Sequence, residues 1–204
     1  MSENAEPKGP SQHKSQTRSD ALANQERLLA AAVTAMLREG RQVPMASIAR
    51  DAGVGIATLY RNYPTREALL EALTERSFGL VLDVVKEAAV GERPAIGAIE
   101  AFLTSTIAHR EQLVLPLHGG PDDLSDESRR LRTEIHAGIA RILDRGRDDL
   151  TVRTDITASD VVFFGAMLAQ PLSKDDGWLE ANLLRQERIF LGGLAPVPPV
   201  LDII

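Results

Sequence analysis

Within six residues, Thr58, Tyr60, Arg61, Asn62 and Tyr63 bring together three hydroxyls, a guanidinium and an amide. These groups exchange hydrogen bonds with phosphate oxygens and base edges, and an arginine can hold guanine through two bonds at once. Leu59 is the one evident inward anchor of the stretch, so the polar groups exceed what folding a short helix requires. The implied chemistry is recognition of a polyanion, not bond-making. For catalysis or metal binding, His109, His118, Asp122, Asp123 and His136 are the candidates, and their spacing supports neither. The chain has no H-x-x-x-H or H-E-x-x-H, and its glycines form neither a G-x-x-x-x-G-K loop nor a strand-flanked G-x-G-x-x-G. It is therefore not expected to be an enzyme, and no cofactor or metal is expected.

The elements that must position these residues are legible on either side. Met45, Ile48, Ala49 and Ala52 recur at helical spacing, which predicts a short helix with one face to bury. Gly53 falls where a helix C-terminus favours a left-handed residue, and Gly55 opens the next helix, over Ile56 to Tyr63. Pro64 breaks that helix before a third begins at Thr65. This is the order of a helix-turn-helix, which lays one helix across the phosphates and the next in the major groove of DNA.

Three runs carry a closer likeness: Ile48-Ala49-Arg50-Asp51-Ala52-Gly53-Val54-Gly55, Thr58-Leu59-Tyr60-Arg61-Asn62-Tyr63-Pro64 and Thr65-Arg66-Glu67-Ala68-Leu69-Leu70. Taken in order and without a gap, they resemble the DNA-binding domain of the TetR family of transcriptional regulators, over roughly residues 20–75. The resemblance implies that Thr58, Tyr60 and Arg61 meet bases or flanking phosphates, and that Tyr63 and Arg66 hold the DNA backbone. Ser47, Gly55 and Asn62 complete the implied contact set, and Leu59 should be core. Two departures are visible. Gly55 stands where a serine often caps the recognition helix, and Val43-Pro44 where a threonine or serine often caps the helix before it. Both remove hydroxyls that could bond backbone N–H groups or phosphates.

The net charge of −6 at first looks wrong for a DNA binder. Residues 1–76 carry ten Lys/Arg against nine Asp/Glu, and the remainder thirteen against twenty. From Arg38 to Arg66, Arg38, Arg41, Arg50, Arg61 and Arg66 face only Glu39 and Asp51. The positive field is local to the motif, as phosphate binding requires. The 204 residues, 44% of them apolar, suffice for a sizeable core, and no apolar run approaches the ~20 residues that span a bilayer. With no cysteine and no signal peptide in the polar N-terminal stretch, a soluble cytoplasmic protein is expected.

Residues 1–19 lack periodicity and read as a disordered tail, in which Lys14 and Arg18 could touch phosphate or the minor groove. A first helix is expected over about Asp20–Glu39, with Leu29, Ala32, Val33, Met36 and Leu37 as its stripe and Gly40 as its end. A long helix from about Thr65 to Val90 should connect two domains, with Leu69, Leu73, Leu80 and Val84 along one face. Further helices are expected at about 95–110, 111–118, 126–149, 157–171 and 178–193, the helix at 157 opened by a Thr157/Asp160 capping box.

The last two helices are apolar on more than one side, so they are the expected dimer interface. Gly165, Ala166 and Ala169 would let a partner helix approach, and the resemblance implies a four-helix bundle shared by two subunits. An effector cavity is expected among the middle helices, about 95–149. Phe102, Ile107, Leu113, Leu117, Ile135, Ile139, Phe163 and Met167 are the candidate lining, with His109 and His136 as polar handles. An aromatic content of 4% argues weakly against stacking on large planar ligands.

The fold class expected is all-α: a helix-turn-helix domain over 20–75, joined by a long helix to an effector-binding and dimerisation domain over 76–204. The function expected is that of a homodimeric regulator binding a palindromic double-stranded DNA operator, a repressor by resemblance, released by a small molecule. A helical adaptor with a vestigial DNA-binding domain is the alternative.

Overall fold

The computed structural model describes residues 10–90, 93–114, 121, 123–169 and 176–196. Eight α-helices and one 3-10 turn run through the described residues, with no strand among them, so the molecule is all-α. The chain divides into two compact units, Met1–Arg66 and Glu67–Ile204.

The first unit holds α1 (Pro10–Glu39), α2 (Met45–Asp51) and α3 (Ile56–Asn62). Helix α1 starts ten residues before the expected Asp20, so residues 10–19, read above as tail, are helical; residues 1–9 lie outside the described residues. The reason is local. Pro10 has its φ set for the first helical position, and neither glycine nor a second proline interrupts the chain before Gly40. Leu28, Leu29, Ala32, Val33 and Met36 form the buried stripe, while Leu37, expected on it, is exposed.

Helix α2 ends in a complete Schellman motif. The Val54 N–H donates to the Ala49 carbonyl at 3.0 Å and the Gly53 N–H to that of Arg50 at 3.0 Å. The motif needs a left-handed residue, and Gly53 supplies it at φ +68°. Pro44 and Gly55 occupy the N-cap positions of α2 and α3, and neither helix has a side-chain cap.

Helix α4 (Arg66–Ala89) begins directly after Thr65, at the boundary between the units. Its buried stripe runs through Leu73, Thr74, Ser77, Phe78, Val81, Leu82 and Val85, and Leu80 and Val84 are only half-buried at its edge. The shift reflects two hydroxyls with structural work. Thr74 Oγ1 donates to the Val114 carbonyl (3.3 Å), and Ser77 Oγ accepts from the Val114 N–H (2.8 Å) while donating to Leu73 (2.7 Å). These bonds hold Leu113 and Val114 as buried, extended chain where a helix over 111–118 was expected. Only a 3-10 turn, Arg110–Gln112, forms there, and residues 115–120 lie outside the described residues.

Helices α5 (Ala95–Ala108), α6 (Asp126–Asp148), α7 (Ala158–Leu168) and α8 (Asp176–Gly193) complete the second unit around one core that includes Val85, Ile99, Phe102, Leu103, Ile135, Ile139 and Val161. Gly138 on α6 meets Val85 so closely that a Cβ there would overlap it, which lets α4 and α6 cross in near contact. Ser125 caps α6, Asp126 and Glu127 lie in its first turn and Arg145 and Arg147 in its last, matching the helix dipole. The capping box of α7 is present, with Thr157 N–H donating to Asp160 Oδ2 at 2.8 Å and Asp160 N–H to Thr157 Oγ1 at 3.3 Å. Phe164 stacks on Phe190 at 4.1 Å, fixing α7 against α8. No helix among the described residues is long and apolar enough to cross a membrane.

Candidate DNA interface and effector cavity

Helix α3 is built as a two-faced element. Leu59 is fully buried and Tyr63, one turn on, is 4% exposed, so the two together fix the helix from behind. Opposite them Ile56, Ala57, Tyr60 and Arg61 are exposed on one face, at the i, i+1, i+4, i+5 positions. Tyr60 keeps about half its surface in solvent and Arg61 makes no ion pair or hydrogen bond among the described residues. Thr58 and Ser47 are half-buried at the edges, Gly55 is exposed at the helix entry, and the Asn62 amide donates back to the Thr58 carbonyl at 2.8 Å.

Two residues expected to hold the DNA backbone are engaged by the fold. The buried ring of Tyr63 belongs to the core, because its spacing from Leu59 puts it on the inner face. Arg66 donates to the Arg41 carbonyl at 2.9 Å and the Val43 carbonyl at 2.7 Å, closing the loop between α1 and α2 from inside the same unit. Its partly buried guanidinium is thus occupied by the fold. The sequence reading did not place Ile56 and Ala57 on this exposed face; the signal was their spacing, one turn before Tyr60 and Arg61.

The local positive field is similarly smaller than a count of arginines suggests. Arg38 pairs with Asp51 at 2.8 Å and also with Glu39, and Arg50 reaches Asp51 at 3.4 Å. The Arg38 guanidinium holds the Asp51 carboxyl below the usual carboxylate range. This pairing ties the last turn of α1 to the last turn of α2. Arg41 and Arg61 are the arginines of the group whose side chains no such partner engages among the described residues.

In the second unit, α4, α5, α6 and α7 line a partly open cavity of about 280 Å³. Of the residues named above, Phe102, Ile135, His136 and Phe163 line it, together with Phe78, Val81, Thr106, Arg132, Ser159, Val162 and Ala166. The other expected residues do not. Ile139 is sealed in the core, Leu113 is core as well, and Ile107 packs with Leu168 and Leu183. Met167 is exposed on the outer face of α7, and His109 spends its Nδ1 on the Ser105 carbonyl at 2.7 Å. Leu117 lies outside the described residues. Helical spacing identifies inward faces but not which inward residues leave a gap, and the three missed polar residues come from three different helices. Three of the chain's five phenylalanines line this one cavity, so its aromatic character runs against the low overall aromatic content. Burial, and then the positive charge of Arg132, push the His136 imidazole below its ordinary value.

Residues 28–73 match the family model described as bacterial regulatory proteins, tetR family. A TetR transcriptional regulator from Streptomyces coelicolor is 30% identical, with the match covering 84% of this chain and 98% of that one at a TM-score of 0.58. The chain belongs to the TetR family. A second TetR regulatory protein, from Mycobacterium vanbaalenii, is 26% identical over 88% of this chain and 99% of its own, with a TM-score of 0.60. The HTH-type transcriptional regulator NfxB of Pseudomonas aeruginosa is 28% identical over 141 residues, 68% of this chain and 74% of that protein. As a TetR member the chain is a DNA-binding transcriptional regulator of the helix-turn-helix type. The TetR model ends at residue 73, so it covers α2 and α3 entirely and leaves the cavity outside the matched stretch, except as part of the common helical fold.

Proposed function

We propose that this regulator is a homodimeric repressor that binds a palindromic operator through α3 and is released by a small molecule held in the α4–α7 cavity. In this reading residues 20–75 bind DNA and residues 76–204 bind the effector and dimerise. The observation that carries it is the exposed face of α3, where unengaged Arg61 stands beside Tyr60 on a helix anchored by Leu59 and Tyr63. Arg61 reads a base edge or grips a flanking phosphate, Tyr60 bonds phosphate, and Ile56 offers an apolar contact to a thymine methyl. Ser47, Gly55, Thr58 and Asn62 lie at the margin of the same contact.

Dimerisation is supported by the outer faces of α7 and α8, where Met167, Trp178, Leu184 and Ile189 are each between about two-fifths and three-fifths exposed. Large apolar side chains clustered on two adjacent helices favour burial against a second subunit. A two-fold dimer then sets its recognition helices about one turn of DNA apart. The effector acts by binding the DNA-competent and incompetent states unequally, since equal binding would shift nothing.

Selection of bound duplexes from a random DNA pool tests this reading. The expected result is enrichment of an inverted repeat with half-sites about one turn apart. A folded protein that enriches no motif would contradict it.

A further inference from the structure

We propose that the α4–α7 cavity takes an organic anion, a carboxylate on an apolar alkyl or aryl body, with its head group held by Arg132 and His136. This rests on the reading of that cavity as the effector site. Arg132 differs from the arginines of α6 that are ion-paired. Arg129 pairs with Asp126 at 3.0 Å, Arg130 with Glu127 and Glu134, and Arg147 with Asp144 at 2.6 Å. Arg132, like Arg141, has no ion pair or hydrogen bond among the described residues, and of the two it is Arg132 that lines the cavity. His136 follows at i+4, so the two side chains share one face of the helix.

The cavity is also graded in polarity. Phe78, Val81, Phe102 and Ile135 are buried, whereas Arg132 and Ser159 are exposed. An apolar body seated on the phenylalanines would leave its charged end near the guanidinium. No acidic residue lines the space, so nothing there would neutralise a cationic ligand or compete for Arg132. Thr106 cannot take the head group readily, because its hydroxyl already donates to the Phe102 carbonyl at 2.8 Å. Arg132 and His136 are the titratable groups of the lining; α4, α5 and α7 bring none. A bound carboxylate would favour the protonated imidazole, so binding near neutral pH would draw in a proton.

The test is calorimetry and thermal shift on the full chain with octanoate and 4-phenylbutyrate, each beside its amide and its amine. At least one acid is expected to bind roughly tenfold or more tightly than its amide, with proton uptake seen as a dependence of the heat on buffer, and the amines to bind least. Arg132→Gln should remove the acid's advantage and leave the amide's affinity unchanged. Arg129→Gln, which removes the same charge outside the cavity lining, should leave both unchanged. Equal binding of acid and amide would overturn the anionic class while leaving the effector cavity standing. Binding by none of the six compounds would overturn both.

Discussion

The first unit presents its candidate site as an exposed helix face drawn from one continuous run, and the second as a cavity drawn from four helices between Phe78 and Ala166. In the first, polar residues near the surface divide into those engaged by the fold and those left for a partner. Arg66 and Arg38 are engaged; Arg61 and Tyr60 are not. In the second, the division is the same but falls along α6, where Arg129 and Arg130 are paired and Arg132, two positions beyond Arg130, is not. In both units the functional candidate is a polar group that folding does not use and that lies on the candidate surface. The difference is that α3 needs only its own neighbours to make that group visible, while the cavity needs the whole bundle.

The largest test of this division is Tyr63→Ala. If the ring is core, removing it should cost about 3–5 kcal/mol of stability, read as a lower denaturation midpoint, as for other large-to-small core changes. A ring that served DNA would instead cost operator affinity with little loss of stability. Arg66→Ala should cost about 1–2 kcal/mol by freeing the Arg41 and Val43 carbonyls, with the preference among DNA sequences unchanged in a competition assay. A large change in the salt dependence of binding with full stability would return Arg66 to the phosphate contacts.

A smaller effect tests the second unit. Thr157→Ala should cost about 1 kcal/mol near neutral pH by removing the α7 cap. The bonds from the Thr157 hydroxyl and N–H hold the Asp160 carboxyl below its ordinary value. That contribution is whole above the usual carboxylate range of about 4 and is lost as pH falls through the depressed native value. The gap between wild type and Thr157→Ala, measured by thermal melts, should therefore narrow in acid.

What the sequence made legible follows from range. The turn at Gly53, the anchor Leu59, the capping box at Thr157 and the helix order all depend on residues within a turn or two of one another, and each stands where its spacing puts it. The roles of Tyr63 and Arg66 were not legible from residue type, because hydroxyl and guanidinium groups serve core and loop as well as phosphate. Arg66 meets carbonyls 23 and 25 positions earlier, a relation no local spacing reveals. The cavity was half legible. Phe102, His136 and Phe163 were reachable from helical faces, but Arg132 and Ser159 owe their place to where α6 and α7 leave space.

The most direct measurement compares wild type with Tyr60→Ala and Arg61→Ala on the duplex enriched by selection and on a scrambled duplex, by fluorescence anisotropy at several salt concentrations. Arg61→Ala is predicted to lose about 1–3 kcal/mol of preference for the selected duplex if it reads a base, with its thermal stability intact. Tyr60→Ala should weaken both duplexes alike. Unchanged binding in both variants would contradict the assignment of the exposed α3 face as the surface that meets DNA.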